Sequence, residues 1–214
     1  GIREFAHARG ASVTYIPVAL PDMRVDASQL TEELARPRTG GHNLFAYPAQ
    51  SNFSGVQHPL DWIESAHAHG WDVLLDAAAF VPTNPLDLSS VHPDFVPISF
   101  YKMFGYPTGI GALYGKTSLL EAMPPFMGGG DMIKEVKLRS FRPNTLPYKF
   151  EAGTPAIAEA VGFGVAVDYL SAIGMDKIAA HEHEITEYAL ERLEEIPGVK
   201  LFGPSADKKG GVAA

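Results

Sequence analysis

The 214-residue chain contains no cysteine. Disulfides, thiolate metal sites and a cysteine nucleophile are therefore excluded within these residues. The chain also has no excess of positive charge, because 25 Asp and Glu outnumber 17 Lys and Arg and give a formal net charge of −8. This acidic balance argues against a surface that coats nucleic acid or an anionic membrane. Small molecules or protein partners are the expected ligands.

Long apolar runs are missing as well. The hydrophobic segments are short and are interrupted by Gly, Pro or charged residues, so none approaches the ~20 residues needed to cross a bilayer. Because 46% of the residues are hydrophobic and 20% are charged, the composition is that of a globular protein with a sizeable core. We expect no nucleic-acid partner, no membrane partner and a cytoplasmic location.

Neither terminus has the pattern of a finished element. The chain starts without Met, inside a helical pattern that closes at Arg9-Gly10, and it stops after the run KKGGVAA (residues 208–214). We expect both ends to be cuts within a longer protein, with any targeting peptide lying upstream.

Short apolar runs alternate with longer amphipathic or Ala-rich stretches, which is typical of a mostly parallel sheet covered by helices. The sequence predicts an α/β fold with three layers, α/β/α. Predicted strands cover residues 13–18, 43–47, 73–75, 95–99, 109–114 and 199–202. Predicted helices cover residues 28–35, 60–69, 154–170 and 176–195, and residues 123–148 form a long excursion.

The expected domain division follows from these elements. Residues 1–175 would form part of a large domain, and residues 176–214 a connecting helix and the start of an incomplete, smaller α+β domain. Within the large domain, Thr154 and Pro155 have the pattern of an N-cap and a first helical residue.

Polar residues follow three of the predicted strands. Asn52 comes after residues 43–47, Asp76 after residues 73–75, and Ser99 and Lys102 after the strand at residues 95–99. Because ligands of open parallel sheets bind beyond the carboxyl ends of the strands, these side chains are the first candidates for a site.

Asp76 and Lys102 suggest a particular cofactor. A carboxylate at a buried strand end needs a cationic or hydrogen-bonding partner, and a protonated pyridine nitrogen would supply one. Lys102 lies among aromatic and apolar residues, which favour the neutral, nucleophilic amine that Schiff-base chemistry requires. An acid for the ring nitrogen and a lysine for the aldehyde are the two protein groups that pyridoxal 5'-phosphate (PLP) demands.

Simpler interpretations of the same residues stay open at this point. A strand-end Asp is often a turn former, and a Lys near aromatic residues is often a surface side chain lying on an apolar patch. Open α/β sheets also host many chemistries. His67 and His69, like His181 and His183, are two residues apart on predicted helices, so they do not form a helical metal site and are expected to face solvent.

Longer motifs narrow the choice of protein family. The lysine segment is SFYKMFGYPTGIGAL (residues 99–113), preceded by QSNFSG (residues 50–55) and LDAAAF (residues 75–80) and followed by GGGDMI (residues 128–133) and FEAGTP (residues 150–155). The first three motifs, with GIRE at residues 1–4, resemble the molybdenum cofactor sulfurases. The last two look more like the bacterial-type cysteine desulfurases. Both groups are class V aminotransferase-like PLP enzymes, and the resemblance covers nearly the whole chain.

The resemblance implies roles for the candidate residues. Lys102 would be the lysine that holds PLP as a Schiff base, and Asp76 the partner of the pyridinium nitrogen. Asn52 would approach the phenolic oxygen of the ring, and Ser99 would bind the phosphate.

Three further positions carry implications. Tyr101 stands where the desulfurases usually have a phosphate-binding His. Thr154 matches a Thr that reaches the phosphate of the neighbouring subunit's cofactor, which suits a helix N-terminus and implies a homodimer. Ala79 stands where the desulfurases usually have Gln, which favours the cofactor sulfurases.

The implied function is a PLP-dependent sulfurtransferase that mobilises sulfur from L-cysteine, gives alanine and passes the sulfur to an acceptor protein or cofactor. The family's sulfur-accepting cysteine is absent from these residues, so the chain alone is expected to be inactive. Two alternatives remain. One is another class V PLP enzyme, such as a selenocysteine lyase, a kynureninase-like hydrolase or an epimerase, and the other is a non-catalytic α/β domain that binds a partner.

Overall fold

A computed structural model of the chain describes residues 2–37, 41–103 and 108–214. The α-helices are α1 (Ile2–Ala8), α2 (Ala27–Ala35), α3 (Trp62–Ala68), α4 (Thr117–Ala122), α5 (Ile157–Ile173) and α6 (Met175–Glu194). The strands are β1 (Val18–Ala19), β2 (Arg24–Val25), β3 (Leu44–Pro48), β4 (Asp72–Asp76), β5 (Phe95–Ser99), β6 (Gly111–Gly115), β7 (Ile133–Lys137) and β8 (Ser140–Pro143). Three short 3₁₀ turns lie at Phe100–Lys102, Tyr148–Phe150 and Ala206–Lys208.

The central sheet has four strands in the order β3-β4-β5-β6. Strands β3, β4 and β5 are parallel, and β6 runs antiparallel to β5. Pro48 is therefore opposite Asp76, and Ser99 is opposite Gly111. The parallel strands bring three carboxyl ends to one edge of the sheet, which confirms the predicted α/β class and sets the place of the site.

The core forms where β4 lies between its neighbours. Val73, Leu75 and Val96 are fully buried, as expected for apolar runs in the middle of a parallel sheet. Helices α2 and α3 cover the sheet with their buried apolar residues. Asp26 caps α2 by accepting from the amide of Ser28 at 2.8 Å. The core residues are Leu30, Leu34, Tyr47, Ala49, Ile63, Ala66, Val73, Leu75, Ala77, Phe80, Val81 and Val96.

Several predicted elements are wrong. Residues 13–18 are not a strand, and only β1 pairs there, with β2. Pro17 has no N–H for a ladder, and most of the segment is exposed. Residues 199–202 are not a strand either, since no described strand pairs with them and the Phe202 amide donates instead to the Ala214 carbonyl at 2.7 Å. Residues 123–148 contain the antiparallel hairpin of β7 and β8.

The start of α5 also differs from the prediction. The N-cap is Ala156, whose backbone is still non-helical with φ −73° and ψ 76°, so the helix begins at Ile157. Thr154 is exposed and precedes the cap by two residues. It therefore does not have the N-cap position that the sequence predicts.

The described ranges contain no single helix with both the length and the apolarity to cross a membrane. Helices α5 and α6 meet that criterion only when they are counted together across a 76° bend.

Candidate active site

Two of the predicted site residues are in direct contact. The amine Nζ of Lys102 donates a hydrogen bond to Oδ1 of Asn52 at 2.6 Å, although the two residues are 50 positions apart in sequence. This distance is short for an N–H···O hydrogen bond. The contact joins the turn after β5 to the loop after β3.

The loop that carries Asn52 is a closed turn over residues 51–55. The Ser51 hydroxyl accepts from the amides of Phe53 at 3.3 Å and Ser54 at 3.1 Å. The Gly55 amide donates to the Ser51 carbonyl at 2.9 Å, and Gly55 has a φ of 73°, which favours glycine. Asn52 is exposed at the tip, so the turn presents its amide to the Lys102 amine.

The turn that carries Lys102 is held from two sides. The ring of Phe100 stacks on Phe163 of α5, with centroids 3.8 Å apart and planes 9° apart. Met103 packs against the core, and its amide donates to the Phe100 carbonyl at 2.8 Å. Lys102 itself is half-buried. Residues 104–107 of the lysine segment and Gly1 of the first motif lie outside the described residues.

Asp76 ends β4 between its two parallel neighbours. Its carbonyl accepts from the Ala49 amide at 2.8 Å, and the next amide, of Ala77, donates to the Pro97 carbonyl at 3.3 Å. The side chain is exposed, and its Oδ1 accepts from the Ala78 amide at 3.1 Å. The expectation of a buried carboxylate was wrong, because the last residue of the strand already stands at the open edge of the sheet.

The remaining predicted residues are less closely connected. Ser99 is half-buried and ends β5 at the same edge as Asp76. Tyr101 is 49% exposed, and Thr154 is exposed ahead of α5. Within the part of the chain that the structure describes, no side-chain hydrogen bond joins Ser99, Tyr101 or Thr154 to Lys102.

The amino ends of the parallel strands, opposite the candidate site, hold a buried polar cluster. Asp94 is only 4% exposed and accepts from Nε2 of His67 at 2.7 Å, from Nζ of Lys116 at 2.6 Å and from the Val73 amide at 2.7 Å. Burial alone would raise the pKa of Asp94, but the hydrogen bonds from Lys116 and His67 outweigh it and hold the pKa below its ordinary value. The expectation that His67 faces solvent was therefore wrong, whereas His69 is exposed.

Sequence reasoning did not find the partners Phe163 and Asp94. Phe163 belongs to a helix of nearly uniform hydrophobicity, so no periodic pattern marks its ring, and Asp94 reads as an ordinary polar residue before a strand. The only signal for Asp94 was its place immediately before the apolar run of β5. Among residues 2–37, 41–103 and 108–214, no three His, Asp or Glu side chains are grouped so that they could hold a metal ion.

Comparisons with known proteins show the family to which the chain is similar. The model of the aminotransferase class-V family matches residues 2–214. A probable cysteine desulfurase of Streptomyces coelicolor is 45% identical over 193 residues, which are 90% of this chain and 45% of that protein. A cysteine desulfurase of Haloferax volcanii is 41% identical over 213 residues, which are 99% of this chain and 49% of that protein.

A solved structure has the same fold. The crystal structure of the cysteine desulfurase CsdA from Escherichia coli superposes with a TM-score of 0.87 and 32% sequence identity, over 99% of this chain and 51% of that one. The chain thus spans about half the length of the curated relatives it matches.

Proposed function

Because this chain belongs to the aminotransferase class-V family, we propose that it is the cofactor-binding part of a PLP-dependent cysteine desulfurase. The observation that carries the proposal is the 2.6 Å hydrogen bond between Lys102 and Asn52 beyond the carboxyl ends of the parallel strands. A PLP site needs a lysine amine for the aldehyde, and ligands of open parallel sheets bind at this edge.

The side chains at this edge fit the cofactor by their chemistry. Lys102 offers a primary amine for its aldehyde, and the exposed carboxylate of Asp76 is available for a ring nitrogen. Asn52 offers an amide for the ring oxygen, and Ser99 a hydroxyl for the phosphate. PLP, when bound, supplies an electron sink for charge that develops at the substrate α-carbon. Tyr101 and Thr154 are proposed as further phosphate ligands, Thr154 from a second copy in a homodimer.

The residues of this chain would then have distinct tasks. Lys102, in its neutral form, is the base that moves the proton at the substrate α-carbon. Asn52 orients that amine, because its Oδ1 accepts one of the amine's hydrogens. Asp76 contributes a fixed negative charge at the end of β4, where the ring nitrogen would need it.

The proposed substrate is L-cysteine, whose carbon–sulfur bond breaks to give alanine. The relatives named as cysteine desulfurases support this choice. The 214 residues contain no cysteine, so the thiol that accepts the sulfur must be supplied by another part of the protein or by an acceptor.

We further propose the division into residues 1–175 and 176–214 as parts of two domains, and a cytoplasmic location.

A molybdenum cofactor sulfurase is the second candidate. Ala79 favours it, since the desulfurases resembled by this sequence usually have Gln at that position. Both candidates release sulfur from L-cysteine, and they differ in the acceptor.

The experiment uses the full-length protein that contains this chain. After addition of PLP, the protein should convert L-cysteine to alanine. In a separate sample reduced with borohydride, peptide mapping should find the pyridoxyl group on Lys102. Lys102→Ala should lose both results, whereas Lys134→Ala, at an exposed lysine of β7, should keep both. A pyridoxyl group on a different lysine, or turnover that survives Lys102→Ala, would contradict the proposal.

A further inference from the structure

A segment near the end of the chain packs against the loop that carries Asn52. Residues 208–210, called here the tail strand, run beside residues 55–57. The Gln57 amide donates to the Lys208 carbonyl at 2.9 Å, the Gly210 amide donates to the Gly55 carbonyl at 2.8 Å, and Val56 forms an antiparallel bridge with Lys209. The tail strand is therefore the outer member of a small antiparallel ladder.

Residues 50 and 51 are the inner member of this ladder, and they lead directly to Asn52. Gln50 forms an antiparallel bridge with Gln57, and the Ser51 amide donates to the Val56 carbonyl at 2.8 Å. The Gln57 side chain also donates to Oε1 of Gln50 at 3.0 Å. A continuous set of hydrogen bonds thus connects the tail strand to residues 50 and 51, and the next residue is Asn52.

The fit between the tail strand and this ladder leaves no room for a side chain at position 210. A Cβ on Gly210 would overlap the amide of Gln50, whose Cδ would lie 2.6 Å away. Gln50 is itself buried, so its side chain has little freedom to move aside. A Cβ on Gly55 would likewise lie 2.8 Å from the Gly210 carbonyl oxygen. Glycine at position 210 therefore sets how closely the tail strand approaches Gln50.

The tail strand takes this place at an electrostatic cost. Lys209 is only 4% exposed, and its amine is buried without a hydrogen-bond partner among the described residues. The backbone hydrogen bonds of Lys208 and Gly210 flank this residue and oppose the cost of burying its amine.

We propose that Gly210 is a positioning residue for the candidate site. It lets the tail strand fix the ladder of residues 50–57, and the ladder fixes the Asn52 amide that orients the Lys102 amine. The inference rests on the proposed function for its catalytic meaning, but the link from Gly210 to Lys102 can be measured without cofactor.

The test compares Gly210→Ala with Gly164→Ala in the full-length protein. Gly164 is a matched control, because a Cβ there has no neighbour within 4 Å and the residue lies in α5. The first readout, without PLP, is hydrogen exchange of residues 51–57 and the rate at which an amine reagent labels Lys102 relative to Lys134. We expect Gly210→Ala to speed exchange about two- to tenfold, as for the loss of one backbone hydrogen bond, and to change the Lys102 rate. Gly164→Ala should change neither.

The second readout is the pH midpoint of the absorbance of the Lys102–PLP adduct, which a purely structural role would not move. We expect a shift in Gly210→Ala and none in the control. Unchanged exchange and labelling in Gly210→Ala would overturn the inference, and so would faster exchange with an unchanged Lys102 rate. If wild-type protein fails to attach PLP, the proposed function fails, while the labelling result still decides the link to Lys102.

A second pair of variants keeps the test decisive if Gly210→Ala folds poorly. In Gln50→Ala the overlapping amide is gone, so adding Gly210→Ala should leave the Lys102 labelling rate unchanged. A further change in the double variant would show that Gly210 does not act through Gln50 and would overturn the proposed route.

Discussion

Polar residues at the carboxyl ends of the parallel strands differ in burial and pairing from those at the amino ends. At the carboxyl edge, Asn52 and Asp76 are exposed, and one side-chain hydrogen bond joins Asn52 to Lys102. At the other edge, Asp94 is buried and accepts three hydrogen bonds, from His67, Lys116 and the backbone. A buried, fully paired carboxylate holds strands and helices together, whereas exposed groups with few partners remain available to a ligand.

The sharpest way to test this contrast is to remove the buried carboxylate. Asp94→Ala should lower the free energy of unfolding by about 1–3 kcal/mol, because it leaves the buried Val73 amide without its acceptor and removes the hydrogen bonds from Lys116 and His67. Urea denaturation followed by circular dichroism measures the loss. Asp168→Ala, at an exposed residue of α5, is the control and should stay within about 0.5 kcal/mol. A small effect of Asp94→Ala would break the contrast between the edges.

The opposite pattern is expected at the carboxyl edge. Asn52→Ala should change the free energy of unfolding by no more than about 0.5 kcal/mol, since the side chain is exposed. It should weaken PLP binding about tenfold or more, because it removes the amide proposed to bond the charged ring oxygen, and a hydrogen bond to a charged group contributes about 1.5–3 kcal/mol. Fluorescence titration with PLP and urea denaturation separate the two effects. Equal losses of stability at Asn52 and Asp94 would argue against a division of labour.

The stack behind the lysine turn should have an intermediate effect. Phe163→Ala removes the ring that lies on Phe100, and we expect a loss of about 0.5–1.5 kcal/mol in stability beyond the lost buried area. Phe163→Leu keeps most of the apolar contact and should lose less. Thermal unfolding of both variants provides the measurement, and identical melting temperatures would show that the stack does not support the turn.

The smallest effect is a pH dependence from His58, which lies beside the carboxyl end of β3, where its Nδ1 bonds the Pro48 carbonyl at 2.9 Å. Burial lowers the pKa of His58, with a further contribution from the charge of Arg24, although the hydrogen bond from Nδ1 to the Pro48 carbonyl opposes the shift. Because the unfolded chain binds this proton near pH 6.5, stability should be full above that pH and should fall as the pH drops towards the lowered folded value.

The variant His58→Phe isolates this contribution. Its stability, measured by urea denaturation between pH 5 and pH 7.5, should lack the part of the slope that wild type shows below pH 6.5. Asp94 should contribute differently, since its lowered pKa means that its stabilisation is lost only as the pH falls below the ordinary value of 3.8. A His58→Phe slope equal to that of wild type would show that the ring does not titrate on unfolding.

Local patterns in the sequence predicted the centre of the fold well. The strands at residues 43–47, 73–75 and 95–99 and the helix at residues 28–35 were confirmed to within about a residue or two. The strands are short, mostly apolar runs, and the helix has its buried Leu30 and Leu34 four residues apart on one face. The strands predicted at residues 13–18 and 199–202 were wrong, because an apolar run forms a strand only where a neighbouring strand pairs with it. The N-cap predicted at Thr154 was wrong, because a good capping residue does not fix where the helical backbone begins.

The site was predictable only in part. The rule that parallel strands end at one edge correctly brought Asn52 and Lys102 together. It did not foresee that Asp76 would be exposed, since burial at a strand end depends on what covers that edge. The stack of Phe100 on Phe163 and the approach of the tail strand to Gln50 join residues far apart in sequence, and no local pattern encodes such pairs.

The reversed direction of β6 has a consequence for protein engineering. Since Ser99 pairs with Gly111, the chain between β5 and β6 must leave and return at fixed points one strand spacing apart. Lys102 therefore lies on a connection whose two ends are held by adjacent, paired strands. A deletion or insertion between Ser99 and Lys102 would have to be absorbed by moving the amine or by slipping the pair of strands, so this spacing is under tighter constraint than that of an ordinary surface connection.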